Sequence, residues 1–127
     1  MEIEINNVKY QVKSNALTKF HYKKLFGVGI FKDISVLNSI NTKSEKIRKE
    51  LKGTDLTDEE IEVEVNNQLM EESDAIIDVA LKMAYVLIYT ANNQFMSFEQ
   101  WLGTLEKVDL KETWVSEVIS TISNTFC

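Results

Sequence analysis

Histidine and cysteine, which serve most often as zinc ligands and as catalytic base or thiol, are nearly absent from this chain. His21 is the only histidine and Cys127 the only cysteine among the 127 residues. A metal site needs several such ligands at matched spacing, and His21 has no second histidine or cysteine for company. A catalytic Cys–His pair would have to use a thiol at a frayed end. We therefore expect His21 to occupy a surface or half-buried helix position, with no metal and no cofactor bound.

The acidic residues offer the other possible chemistry, because paired carboxylates can act as general acid and base. Residues Thr54 to Asp78 carry ten acids and no base. However, Thr57-Asp58-Glu59-Glu60 has the form of a capping box, so these acids are expected at the start of a helix. The chain contains no phosphate loop, dinucleotide-binding turn, HExxH, CxxC or GxSxG motif. We predict a protein that is not an enzyme; a pocket built only of Tyr, Asp and Lys stays the alternative.

The distribution of charge is uneven. Residues Met1 to Lys52 carry eleven Lys or Arg against five Asp or Glu, while the whole chain has a formal charge of −6. Two interpretations are open: both parts are solvated faces of one helical domain, or the basic part of one copy attracts the acidic part of another. Nucleic-acid binding is not expected, because the bases are spread out and the acidic block repels phosphate.

The stretch Ala75 to Ala91 is the element around which the rest must be arranged. Only Asp78, Lys82 and Thr90 in it are polar. A helix that is apolar nearly all round is either the centre of a core or a membrane span. The stretch falls short of the ~20 residues that a span needs, and two charges lie in its first half. We predict a buried central helix with Leu81 and Leu87 in the core, and Asp78 and Lys82, four residues apart, able to pair.

The first residues predict a β-hairpin that leads into a helix. Residues Glu2 to Lys13 alternate apolar and polar side chains on both sides of Asn6-Asn7, and asparagine tolerates the left-handed turn conformation. Ser14 or Asn15 then caps a helix that ends near Phe26, with Leu17, Phe20, Tyr22 and Leu25 alternating with lysines and Gly27 as C-cap.

The middle of the chain is harder to interpret. Residues 30–40 predict a short helix, whereas Asn41 to Asp55 is polar and can be a solvated helix or a mobile loop, of which we favour the loop. A helix begins after Thr57 with Ile61, Val65 and Leu69 as its apolar stripe. Whether it breaks at a cap on Ser73 or continues into the central helix stays open.

The last third contains the clearest local signal. In Met96-Ser97-Phe98-Glu99-Gln100-Trp101, Ser97 and Gln100 form a capping box, and Met96 can staple against Trp101. Asp109 to Glu112 repeats the capping pattern and starts a last helix, whose apolar stripe docks on its own domain or on a neighbour. The candidate structural and interaction residues are Ser97, Phe98, Trp101, Leu81, Leu87, Trp114, Ile119 and Phe126.

These observations together predict the architecture and the setting. We expect one domain over residues 1–127, mainly α (α+β), with an N-terminal β-hairpin packed on a small helical domain around the buried central helix. Its parts are the hairpin 1–13, a helical region 14–40, a mobile polar segment 41–56 and a helical core 57–127. The start MEIEIN lacks the features of a signal peptide, and a lone cysteine favours a cytosolic setting.

Three stretches together resemble the tail assembly chaperones of long-tailed bacteriophages and prophages. These are the opening EIEINNVKYQVK, the step AYVLIYTANNQ at the end of the long apolar helix, and SFEQWLGTLEKVDL. The resemblance covers most of the chain and departs from the family pattern at Asn7, where a hairpin glycine is common. Its motifs are structural rather than catalytic.

The resemblance implies a role in virus assembly in the cytoplasm of a bacterial host. Such chaperones coat the helical tape measure protein, keep it soluble, and are displaced as tail tube subunits polymerise, so that they are absent from the mature virion. A longer frameshifted product is also expected. Independently of the resemblance, the uneven charge and the open strand edges of the hairpin predict self-association by a head-to-tail contact, as a ring or a spiral. The rival hypothesis is a small acidic adaptor or regulator, such as a host-takeover or toxin-neutralising protein that acts by protein–protein binding.

Overall fold

The computed structural model describes residues 1–109 and 112–127. Within these residues the chain forms one antiparallel hairpin followed by six helices, which confirms the predicted mainly α fold with an N-terminal hairpin. The elements are β1 Glu2–Ile5, β2 Val8–Gln11, α1 Ala16–Phe26, α2 Ile30–Leu51, α3 Asp58–Gln68, α4 Met70–Ala91, α5 Phe98–Thr104 and α6 Thr113–Phe126.

The hairpin forms where the sequence predicts it and is fixed to the helices. Asn6 and Asn7 have φ angles of 52° and 65°, the left-handed conformation that a two-residue primed turn requires. Ile3 and Ile5 of β1 are buried in the main core. The backbone N–H of Lys13 donates to a carbonyl near the end of α4, that of Leu87, at 3.1 Å. The hairpin is therefore part of the core and not an appendage.

The central helix α4 is the most deeply buried element, as predicted. Apart from Lys82, every residue from Val79 to Ile88 is buried, and Leu87 has no exposed surface. Helices α1 and α6 both pack against α4. In the described part of the chain, no helix combines the length and the apolar character needed to cross a membrane.

The predicted loop over Asn41 to Asp55 is wrong for most of its length, because α2 continues without a break to Leu51. Ser44 and Ile47 are buried, and Ile47 packs with Ile61, Val65 and Leu69 in a second, smaller apolar cluster. Leu37, Ser44, Ile47 and Leu51 follow one another at spacings of seven, three and four residues, which keeps them on one stripe facing α3 and α4. This stripe has too few apolar residues to predict a helix from the sequence alone. It is buried because the apolar face of α3 packs against it.

The break between α3 and α4 lies at Leu69, not at Ser73. The Thr57–Glu60 capping box at the start of α3 is confirmed, with both reciprocal hydrogen bonds at 3.2 Å. Ser73 lies inside α4, where its hydroxyl donates to the Leu69 carbonyl at 3.5 Å, so it is no N-cap. A serine inside a helix often bonds back to the carbonyl four residues earlier in this way.

The last helix begins at Thr113, with Glu112 as the N-cap residue and no capping bond from its side chain. The predicted capping pattern of Asp109 to Glu112 comes just before this helix, and its residues Leu110 and Lys111 lie outside the described residues. The tail docks on its own domain, because Trp114 is buried and α6 contacts α4 and β1.

Candidate functional site

A buried polar cluster joins the first, second and fourth helices. The Tyr22 hydroxyl of α1 donates a hydrogen bond to the Asp33 carboxylate of α2. The Lys82 ammonium of α4 lies 2.8 Å from the same carboxylate oxygen. It also lies 5.8 Å from the centroids of the Tyr22 and Phe26 rings. Asp33 is only 7% exposed, so its charge depends on these two partners.

The predicted pairing of Lys82 with Asp78 is wrong, because the salt bridge of Lys82 is to Asp33. Asp78 is exposed and can be solvated by water, whereas the Asp33 carboxylate is buried and needs a cation. Sequence reasoning missed Asp33 as a site residue. The available signal was its position between Ile30 and Ile34, on the inward side of α2.

In this cluster Tyr22 acts as a hydrogen-bond donor, and Lys82 neutralises the charge of Asp33. Burial raises the pKa of the Tyr22 hydroxyl far above its ordinary value, and the hydrogen bond to Asp33 and its negative charge raise it further. A neutral phenol can donate to Asp33, but it is no base near neutral pH. A small cavity of about 200 Å³ beside Lys82 is lined by Asp78, Leu81, Phe98 and Leu102. The cluster holds three helices together.

The raised pKa of Tyr22 predicts a loss of stability in alkali. The folded pKa lies above the unfolded value of 10.0, so the contribution is fully present below pH 10 and is lost as pH rises above it. Above that pH, Tyr22→Phe should lose unfolding free energy less steeply than the wild type, by up to about 1.4 kcal/mol per pH unit. Urea unfolding from pH 8 upwards measures the difference. Equal slopes for the two proteins would show that Tyr22 ionises as freely in the folded state.

A second feature is an aromatic cluster that unites the three stretches carrying the family resemblance. Tyr10 of β2 lies edge-on to Phe95 and Trp101, with ring centroids 6.0 and 6.2 Å apart. Tyr85 of α4 lies 5.3 Å from Phe98 and 5.9 Å from Trp101. The Tyr85 hydroxyl donates to the Met96 carbonyl at 2.7 Å, which fixes the backbone just before α5. Segments far apart in sequence thus form one packed unit.

The capping box of α5 is confirmed and yields a prediction. Ser97 Oγ accepts from the Gln100 N–H, and Gln100 Oε1 accepts from the Ser97 N–H, both at 3.2 Å. Ser97→Ala is expected to lower the unfolding free energy by ~0.5–2 kcal/mol. Ser97→Asp, which retains a capping oxygen, serves as the matched control. If Ser97→Ala, Ser97→Asp and the wild type all have the same melting temperature, the cap does not stabilise α5.

The structure sorts the predicted candidate residues into core and surface. Leu81, Leu87, Trp101 and Trp114 are buried, and Phe98, Ile119 and Phe126 are half-buried. Phe126 contacts the ring of Phe31 edge-on, with centroids 6.1 Å apart. The buried members stabilise the fold.

A groove lies between the two apolar clusters. It has a volume of about 400 Å³ and is bounded by α2, α3, α4 and α6. Its apolar lining consists of Leu37, Ile40, Val65, Leu69, Ile76 and Ile119. Asn38, Asn41 and Asn66 add polar groups to the same groove. An apolar floor with amide groups suits a helix that has one apolar face.

Two further patches consist of exposed apolar side chains on α1 and around the start of α3. Leu17 and Phe20 on α1 are 57% and 67% exposed, although their spacing resembled that of an inward face. Val63 on α3 is 59% exposed, and Leu56 just before α3 is 37% exposed. Lysines flank the α1 patch and glutamates flank the α3 patch, and these charges indicate that both patches face outward.

The basic and acidic parts of the chain meet within one molecule. Lys43 of α2 lies 2.5 Å from Glu72 of α4, and Arg48 of α2 lies 2.7 Å from Glu62 of α3. Hydrogen bonds from these bases lower the pKa of both glutamates. The uneven charge along the sequence is thus used in part to hold the α3 region to α2.

In residues 1–109 and 112–127, no cluster of three or more His, Cys, Asp or Glu side chains has a geometry that would hold a metal ion. Comparison with protein-family models, curated proteins and solved structures finds no match to this chain.

Proposed function

We propose that this protein is a non-enzymatic tail assembly chaperone of a long-tailed phage or prophage. It binds the tape measure protein in the host cytoplasm, keeps it soluble, helps to recruit tail tube subunits and is absent from the mature virion. The observation that carries the proposal is the contact of Tyr10, Tyr85 and Trp101, one from each of the three family-like stretches. The three stretches were chosen for their sequence resemblance alone, and their aromatic side chains pack against one another.

The groove supports the proposal because it fits the chemistry of the partner. A tape measure protein is a long helix, and an isolated amphipathic helix needs its apolar face covered to stay soluble. The groove offers apolar side chains from four helices, among them Ile40 and Ile119, to receive such a face. Both are half-buried, so each retains surface for contact with a partner.

The experiment is co-expression with the long tape measure protein that the proposal expects in a neighbouring gene. The wild type should raise the soluble fraction of the tape measure protein and co-purify with it. Ile119→Asp and Ile40→Asp should abolish both effects, because each buries a charge against the apolar face of the partner. Val8→Asp is the control, since Val8 is exposed and lies outside the groove. Melting curves identify any variant that has lost its fold.

Two results would contradict the proposal. One is a tape measure protein that is equally insoluble with and without this chain. The other is a gene neighbourhood lacking a tail tube gene on one side and a long tape measure gene on the other, which would favour the adaptor or regulator hypothesis. If co-purification occurs but is unchanged in both groove variants, the function stands and the groove is excluded as the binding surface.

A further inference from the structure

The exposed apolar patch on α1 is surrounded by positive charge. Leu17 and Phe20 are three residues apart and therefore neighbours on the outer side of the helix. Lys23 and Lys24 follow within the next turn and are exposed. Thr18 and Tyr22, on the opposite side, are buried, so the patch faces away from the core. We name Leu17, Phe20, Lys23 and Lys24 the lysine-flanked patch.

The exposed apolar patch on α3 has the opposite charge. Leu56 and Val63 line a shallow depression together with Glu59, Glu60 and Glu64. Ile61 and Val65, which are buried, face inward, so Val63 lies on the outer side of α3. The two intrachain ion pairs to the acidic block use Glu62 and Glu72 and none of the three glutamates that line the depression. We name Leu56, Glu59, Glu60, Val63 and Glu64 the acid-flanked patch.

The two patches cannot meet within one molecule. Helix α1 is joined to the beginning of α2 through Tyr22 and Asp33, and α3 is joined to the end of α2 through Arg48 and Glu62. Asp33 and Arg48 are separated by about 22 Å along the helix, at 1.5 Å per residue. The patches therefore lie towards opposite ends of α2, so each can pair only with a patch on another molecule.

We infer that the lysine-flanked patch of one copy binds the acid-flanked patch of the next. Each patch has an apolar centre for burial and charges that complement the other, which favours this pairing over contact between two like patches. Because the two surfaces differ, the contact is heterologous and repeats from copy to copy as a ring or an open spiral. The inference concerns self-association alone and does not rest on the proposed function.

The decisive test uses two variants that each block one side of the contact. Phe20→Asp disables the lysine-flanked patch, and Val63→Asp disables the acid-flanked patch. Sedimentation should show the wild type as oligomers at low salt and each variant as a monomer. An equimolar mixture should form a 1:1 dimer and nothing larger, because one intact patch of each kind remains. Circular dichroism confirms folding, which both exposed positions should tolerate.

Charge reversal gives a second, independent arm. Lys23→Glu/Lys24→Glu and Glu59→Lys/Glu64→Lys should each abolish association alone, whereas mixing them should restore oligomers. Glu60 is left unchanged because it belongs to the capping box of α3. For the wild type, raising the salt concentration from ~0.05 M to ~0.5 M should weaken association on the order of tenfold, because exposed charges are then screened.

Three outcomes would overturn the inference. They are a wild type that is monomeric at high concentration and low salt, a Phe20→Asp/Val63→Asp mixture that stays monomeric, and variants that associate as the wild type does. A monomeric wild type that still solubilises the tape measure protein would remove the self-association and leave the proposed function intact. Oligomers that show no binding to the tape measure protein would leave the self-association intact and contradict the proposed function.

Discussion

Replacing Lys82 by methionine is expected to lower the unfolding free energy by about 3–5 kcal/mol, although it adds no cavity. The methionine retains most of the aliphatic stem, so the loss comes from the charge. Asp33 is buried and would be left with a hydrogen bond from Tyr22 but no cation. An uncompensated buried carboxylate is far more costly than the net gain from an intact pair. Urea unfolding of the variant and wild type at neutral pH measures the loss.

Two further variants separate charge from packing at this position. The double variant Asp33→Asn/Lys82→Met removes both charges and keeps a carbonyl oxygen for Tyr22, so most of the lost stability should return. Lys49→Met, at an exposed position of the same helix as Asp33, should change the unfolding free energy by less than about 0.5 kcal/mol. A Lys82→Met variant as stable as Lys49→Met would mean that the Asp33 charge is compensated in another way.

The second large effect is expected at Trp101, where alanine should cost about 3–5 kcal/mol. The side chain has no exposed surface and lies against Tyr10 and Tyr85. Its removal opens a cavity between the hairpin, α4 and α5, and the surrounding helices can close it only in part. Because the hairpin packs on this ring, native-state hydrogen exchange in β2 should accelerate in parallel with the global loss.

Trp101→Phe is the matched control. The indole N–H of Trp101 has no hydrogen-bond partner among the described residues, so phenylalanine gives up volume but no hydrogen bond. We therefore expect it to retain more than half of the stability that alanine loses. If Trp101→Ala unfolds within 1 kcal/mol of the wild type, on the scale of an ordinary substitution, the aromatic cluster is not a unit of the core.

The sequence by itself determined those features whose causes lie within a few residues. Asn6-Asn7 specifies the hairpin because few residues other than asparagine and glycine accept two successive left-handed positions. The boxes at Thr57 and Ser97 mark helix starts because both of their hydrogen bonds span only three residues. The burial of α4 follows from its all-round apolar composition, whatever the partner helices are.

Tertiary structure decided the features that depend on a partner far along the chain. Residues 41–51 are helical because Ile47 gains a surface on α3, and nothing near Ile47 in the sequence announces that surface. Lys82 binds Asp33 and not Asp78, since a buried charge attracts a counterion more strongly than a solvated one does. Leu17 and Phe20 stay exposed because Thr18 and Tyr22 are the residues of α1 that turn towards the core. A local pattern indicates that a helix has an apolar face, but only the packed neighbours determine which face is covered.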